Sequence, residues 1–257
     1  MLTRCQPASV IGLLATVVGA PTSATPPLAT SALPLRTLLR GSDKVWFHGY
    51  DIVYDRVLAL HRALPVKFLE VGVEDGHSMK GWAQYFQHPN ASIMGVAYAC
   101  EHRCEVLTDR RIQLLRGDQS KREDRERIAG SGPFDIVIDD GSHVPEHQIA
   151  TFKTLWPALR GGGLYAVEDI ETSYWRRGVK MYNQAVAGSV VGYFEHLIHT
   201  AVNGEYAENR STFAGDIESM EFAPNLILIR KFHSRKNVRR YRFQKKLAWM
   251  PAPPNQV

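Results

Sequence analysis

Acidic residues are missing from both ends of this chain. The first is Asp43, and none follows Glu221. Neither end therefore carries the charge balance of an ordinary folded surface. Cysteine is scarce as well: Cys5, Cys100 and Cys104 are three among 257 residues. Scattered thiols exclude a disulfide framework. Cys100 and Cys104 are spaced like half of a zinc site with no second half. The apolar stretch from Val10 to Ala20 is too short to span a bilayer. There is no internal repeat, and the G-x-G-x-x-G fingerprint of dinucleotide binding is absent.

What remains is an ordinary soluble composition, 44% hydrophobic and 22% charged. At this length the chain can hold one large α/β domain. Three segments follow from composition: a targeting-like or disordered extension over 1–40, a folded domain over 41–231, and a basic tail over 232–257. The extension has Arg4 before its apolar run and small residues such as Ala20 and Ala24 after it, as in a signal or organellar transit peptide. Nine basic residues run from Arg230 to Lys246; subtracting them from the net charge of +5 leaves the rest mildly acidic, at −4.

The informative stretch is Phe134-Asp-Ile-Val-Ile-Asp-Asp-Gly-Ser-His143, with Gly161-Gly-Gly-Leu-Tyr-Ala-Val-Glu-Asp169. Each is a short apolar run that ends in acids, the pattern of a buried strand. Between them, Pro145 to Leu159 carries apolar residues at helical spacing. Strand, helix, strand makes the two strands parallel neighbours with their carboxyl ends side by side, where open α/β sheets bind ligands. Asp139, Asp140, His143, Glu168 and Asp169 gather there. Clustered carboxylates repel unless protons or a cation compensate, and oxygen donors with one imidazole suit Mg²⁺. Strand-end acids can also simply cap helices.

Further strands are expected over Val66–Gly72, Ser92–Tyr98 and Ile112–Leu115, and a closing antiparallel hairpin over Ile217–Phe222 and Leu226–Arg230. Helices are expected after Tyr54, after His77, over Arg122–Ala129 and over Tyr182–Val202. The alternation predicts a Rossmann-like, doubly wound, mostly parallel sheet. The turn Glu70-Val-Gly72 lets backbone approach a ligand, and an acid before it suits a ligand with a positive amine, such as S-adenosylmethionine (SAM). Asp118 and Gln119 after the third strand have the donors and acceptors that adenine needs, though each could be a turn residue.

These pieces, with Gly41-Ser-Asp-Lys44, His48, Tyr50, His147-Gln148 and Thr172-Ser-Tyr174, resemble class I SAM-dependent methyltransferases. The resemblance is narrower to the macrocin/mycinamicin-type sugar O-methyltransferases. It implies Asp140, Glu168 and Asp169 as Mg²⁺ ligands and His143 as general base. It implies Glu70, Gly72, Asp118, Gln119 and Asp139 around the cofactor. His48, Tyr50, Tyr174 and Trp175 are then lid residues over a small hydroxylated acceptor, a sugar or phenol. A homo-oligomer is left open. Two departures stand out. Ala97 replaces the acid that holds the ribose, with Glu101 as its nearest substitute, and Glu74 and Asp75 replace glycines of the first turn.

Two other readings are carried alongside. One is a non-catalytic SAM- or metal-binding scaffold whose basic tail, with Tyr241 and Phe243 interleaved, contacts nucleic acid or a membrane. The other is a metal-dependent oxygenase, for which one histidine with several carboxylates is a poorer match.

Overall fold

The structure is a computed structural model that describes residues 33–99, 107–175, 189–203 and 211–233. The targeting-like stretch up to Ala32, Cys100, Glu101, Cys104, the first part of the helix expected from Tyr182, and the tail from residue 234 lie outside the described residues.

Seven strands form one sheet: β1 (Lys67–Val71), β2 (Ser92–Ala97), β3 (Ile112–Arg116), β4 (Phe134–Asp139), β5 (Leu159–Glu168), β6 (Ile217–Ala223) and β7 (Leu226–Lys231). The order is β3-β2-β1-β4-β5-β7-β6. Pairs among β1 to β5 are parallel, and β7 is antiparallel to both β5 and β6. Sequence alternation decides the faces. Phe68, Ile136, Ile138, Leu164 and Ala166 point to one apolar cluster, and Leu69, Val71, Val137, Tyr165 and Val167 to the other. Both faces must be covered, as a largely parallel sheet requires.

The first face is covered by α1 (Leu35–Leu38), α2 (Asp43–Trp46), α3 (Asp51–Leu58) and α4 (His77–Tyr85); α5 (Arg122–Gly130), α6 (Pro145–Leu155) and α7 (Val190–Leu197) supply the other. Folded structure thus begins before Gly41. Leu35 and Leu39 are fully buried, and α1 lies so close to α4 that a Cβ on Gly81 would come within 2.8 Å of the Leu38 carbonyl oxygen. Helix α6 stops at Leu155 and tightens into a short turn over Trp156–Ala158. Pro157 has no N–H to continue the ladder. Strand β5 starts at Leu159, earlier than its apolar run suggests, and takes in the three glycines with a register shift against β4. Among the described residues no helix is long and apolar enough to cross a membrane.

The carboxyl ends of β1, β4 and β5 lie together. Asp140 N–H donates to the Val71 carbonyl at 2.8 Å. Gly72, at φ +94°, passes so close that a Cβ would sit 1.8 Å from the Asp140 carbonyl oxygen. Only glycine fits there.

Candidate active site

A cavity of about 780 Å³ opens over these strand ends. One wall is Gly41, Ser42, Asp43 and Trp46; the floor runs from Gly72 through Ala97 and Gly117–Ser120 to Asp140–Val144 and His147. Loops that leave parallel strands build the floor and the start of α2 builds the wall, which is why residues far apart in sequence meet.

At one end, Asp140, His143 and Asp169 offer ligand atoms within 4.8 Å of one another. His143 and Asp169 both adopt left-handed backbone, φ +56° each, a conformation that costs about 1–2 kcal/mol outside glycine and needs external support. Thr172 Oγ1 donates to the His143 carbonyl at 2.9 Å, and the Asp169 N–H donates to the Tyr50 hydroxyl at 3.2 Å. The His143 ring has Nε2 at 3.4 Å from Asp169 Oδ2. Its Nδ1 is buried with no hydrogen-bond partner among the described residues. Burial lowers the His143 pKa, against the pull of Asp169, so the imidazole is neutral near pH 7 and can accept a proton.

Beside this trio lies an interior charge cluster. Lys44 is fully buried. Its ammonium donates to Asp140 and, at 2.6 Å, to Glu168 Oε2, and stands 3.3 Å from Glu70 Oε1. Burial opposes its charge, but Asp140, Glu168 and Glu70 outweigh that and raise its pKa well above the usual value. Tyr54 donates to Glu168 Oε1 at 2.5 Å. Burial still pushes Glu168 up to about 7, against Lys44, and burial and the Glu168 charge raise Asp140. One ammonium faces three carboxylates, and the raised pKa values of Glu168 and Asp140 mean that protons supply part of the remaining compensation.

Residues 69–170 match the family profile described as a methyltransferase domain. The chain carries a methyltransferase domain. It is 34% identical over 206 residues to the 8-demethyl-8-alpha-L-rhamnosyl tetracenomycin-C 2'-O-methyltransferase of Streptomyces olivaceus, covering 76% of this chain and 53% of that one. It is 32% identical to the mycinamicin VI 2''-O-methyltransferase of Micromonospora griseorubida, covering 74% of this chain and 47% of that one. Among solved structures, the MycE methyltransferase in complex with Mg, SAH and mycinamycin VI superposes with TM-score 0.68 at 30% identity, covering 78% of this chain and 54% of that one. The chain spans about half the length of the curated relatives it matches. The Rossmann-like sheet is the fold these relatives share.

Within the methyltransferase domain, the expected site residues separate into those that face the cavity and those behind it. Gly72, Asp118, Gln119, Asp140 and His143 line it. Asp139 and Glu70 are fully buried and do not. Asp139 accepts from Gln119 Nε2 at 2.5 Å, while Gln119 Oε1 accepts from the Ser142 N–H at 2.8 Å. Burial pushes Asp139 up to about 7, opposed by the hydrogen bonds from Gln119, the Gly141 backbone and Tyr165. Asp139 thus fixes Gln119 in place. Glu70 accepts from Ser78 Oγ at 2.6 Å and Trp82 Nε1 at 3.2 Å, tying α4 to the end of β1.

Of the three carboxylates expected to hold a cation, Asp140 and Asp169 converge with His143, and Glu168 faces Lys44 and Tyr54. Of the expected lid residues, Tyr50 is buried, with His48 stacked on it at 4.8 Å between ring centroids. Tyr174 and Trp175 are exposed. Ala97 lines the cavity and offers no acceptor, and Glu74 takes up φ +44° in the first turn.

Sequence reasoning gave no role to Lys44, Tyr54 or Asn225. Tyr50 and Tyr54, four residues apart on one helical face, were a signal for the second. Lys44 stood in the Gly-Ser-Asp-Lys motif without a visible partner. Asn225 looked like a turn former and nothing more.

Proposed function

We propose that this chain is a SAM-dependent, Mg²⁺-assisted O-methyltransferase that acts on a sugar hydroxyl of a glycosylated natural product. The observation that carries this reading is the convergence of Asp140, His143 and Asp169 at one end of a cavity over the first four strand ends. The relatives named above supply the acceptor class.

The residues fit a divalent cation. Asp140, His143 and Asp169 offer ligand atoms within 4.8 Å of one another, and Asp140 and Asp169 bring the hard oxygen donors that Mg²⁺ takes. A cation held there would orient the acceptor hydroxyl and lower its pKa. Asp140 and Asp169 are the assigned ligands. Glu168, the third carboxylate of the expected set, sits behind them with both oxygens engaged.

The residues also fit the methyl donor along β1 to β3. Gly72 gives backbone access, and Asp118 and Gln119 line the cavity where the adenine would lie. SAM supplies the methyl group as a sulfonium; the acceptor oxygen bonds to that carbon as the C–S bond breaks and its electrons return to sulfur. His143 takes the hydroxyl proton. A positioned base of this kind contributes about 10²–10⁴-fold. Ala97 leaves the ribose without the usual acceptor, so SAM binds more weakly than where an acid ends β2.

Calorimetry of the purified chain tests the reading. SAM binding at millimolar concentration or tighter is expected, with Mg²⁺ strengthening the binding of a rhamnosylated acceptor. A chain that binds no SAM in that range refutes the proposal. RNA binding that weakens with salt and disappears on deleting residues 232–257 would favour the scaffold reading instead.

A further inference from the structure

Asn225 occupies the tip of the β6–β7 hairpin, in left-handed backbone at φ +57°. Leu226 pairs with Glu168 in the β5–β7 register, so the tip lies just beyond the strand end that bears Asp169. A turn requires only a residue that tolerates this conformation. Asn225 also makes side-chain contacts, and their geometry is determinate. Its Oδ1 accepts from the Glu171 backbone N–H at 2.8 Å. A backbone N–H can only donate, so the amide has one orientation. Nδ2 is the atom that donates to Asp169 Oδ1 at 3.1 Å and faces His48 Nδ1 at 3.1 Å.

The histidine follows from the same reasoning. His48 Nδ1 accepts, so in the neutral ring the proton is on Nε2, which faces Asp169 Oδ1 at 3.4 Å. Tyr50 adds its hydroxyl, 2.6 Å from the same oxygen. The hydroxyl accepts in turn from the Asp169 N–H at 3.2 Å, and with its one proton on Asp169 the Asn225 carbonyl, 3.0 Å away, is only a neighbour. Two hydrogen-bond donors, Tyr50 from the loop before α3 and Asn225 from the hairpin, therefore meet one oxygen of Asp169, with the His48 ring 3.4 Å from it. The other oxygen, Oδ2, is turned to His143.

We propose that Asn225 is a positioning residue: together with Tyr50 it holds Oδ1 of Asp169 by hydrogen bonds, and so aims Oδ2 at the cation shared with Asp140. The proposal rests on the reading of Asp140 and Asp169 as cation ligands. An unrestrained carboxylate samples several rotations, and each costs affinity when one is selected. Groups that hydrogen-bond a metal ligand from behind remove that cost, and losing one weakens metal binding by about 10–100-fold.

The test separates the side chain from the turn. Glycine tolerates the left-handed backbone as well as asparagine does, so Asn225→Gly keeps the turn's conformation while it deletes the side chain, both its contact to Asp169 and its bond from the Glu171 N–H. Tyr50→Phe removes the second donor from a different element. Mn²⁺, which prefers the same hard oxygen ligands, is titrated into the full chain and followed by the electron paramagnetic resonance of the free ion. Both variants are expected to bind Mn²⁺ about 10–100-fold more weakly than wild type, with Asn225→Gly remaining folded at the assay temperature. In turnover, Asn225→Gly should raise the Mg²⁺ requirement while the acceptor KM at saturating Mg²⁺ is unchanged. Asn225→Gly with wild-type Mn²⁺ affinity overturns the clamp and leaves the proposed function standing. Wild-type protein that binds no Mn²⁺ at millimolar concentration overturns both. If Asn225→Gly fails to fold, Tyr50→Phe decides: unchanged affinity there overturns the clamp.

Discussion

Replacing Lys44 with methionine removes the ammonium that Asp140, Glu168 and Glu70 share, and leaves side chain of similar length in its place. Two of the partners are fully buried, Glu70 and Glu168 at 0% and 1% exposed, while Asp140 borders the cavity. Water cannot take over the role of the lysine. Breaking a buried ion pair by deleting one partner costs about 3–5 kcal/mol. At about 2–4 °C per kcal/mol for a domain of this size, the variant should melt roughly 6–20 °C lower. The loss has a pH signature. Glu168 already stands near 7 with Lys44 present, above its unfolded value, so the folded state holds a proton that the unfolded chain has released. Stability therefore falls as pH rises from about 4.3 towards 7. Without Lys44 the carboxyls rise further, and the fall deepens and extends to higher pH. The defect should thus be larger at pH 8 than at pH 5. Differential scanning calorimetry with chelator present, so that no metal replaces the ammonium, measures both. A melting temperature unchanged at pH 8, or an equal defect at both pH values, would refute the reasoning.

Other expectations are simpler to check. His143→Ala should keep SAM affinity and lower kcat by about 10²–10⁴-fold; loss of SAM binding in calorimetry would make His143 structural. Ala97→Asp should restore a charged acceptor to the ribose and tighten SAM binding by about 10–100-fold, as a hydrogen bond worth roughly 1.5–3 kcal/mol would; no change would mean the ribose lies elsewhere. His61 has its pKa lowered by burial and by Arg230. Below about 6.5 the unfolded state takes up a proton that the folded state refuses, so stability drops as pH falls. His61→Gln should flatten that decline in a series of denaturant melts between pH 7 and pH 5.

Most of the sheet was legible because its strands are short β-branched runs bounded by glycine, proline and acids, a local signal. The β6–β7 hairpin was legible for the same reason, from Ala223-Pro-Asn225 between two apolar runs. The candidate site was legible only where its residues sit on strand ends. Asp140, His143 and Asp169 follow from their place in two motifs. The clamp around them does not. Lys44 meets Asp140 and Glu168 across 96 and 124 residues of chain, and Asn225 meets Asp169 across 56; such pairings are set by tertiary folding. Glu70 and Asp139 show the reverse limit. Both are expected around the cofactor; their side chains are fully buried behind the cavity and hydrogen-bond Ser78, Trp82 and Gln119. Helix α1 was hidden by its Pro- and Ala-rich surroundings, since a single turn with two buried leucines has no detectable period.

The central claim is tested most directly by methyl transfer itself. The purified full chain is incubated with methyl-labelled SAM and a panel of rhamnosylated and other deoxysugar glycosides, with Mg²⁺ or with EDTA, and the label is located by NMR. The account predicts label on a sugar oxygen, formed with Mg²⁺ and absent with EDTA. Transfer that is unaffected by EDTA, or label on nitrogen or carbon, would contradict it.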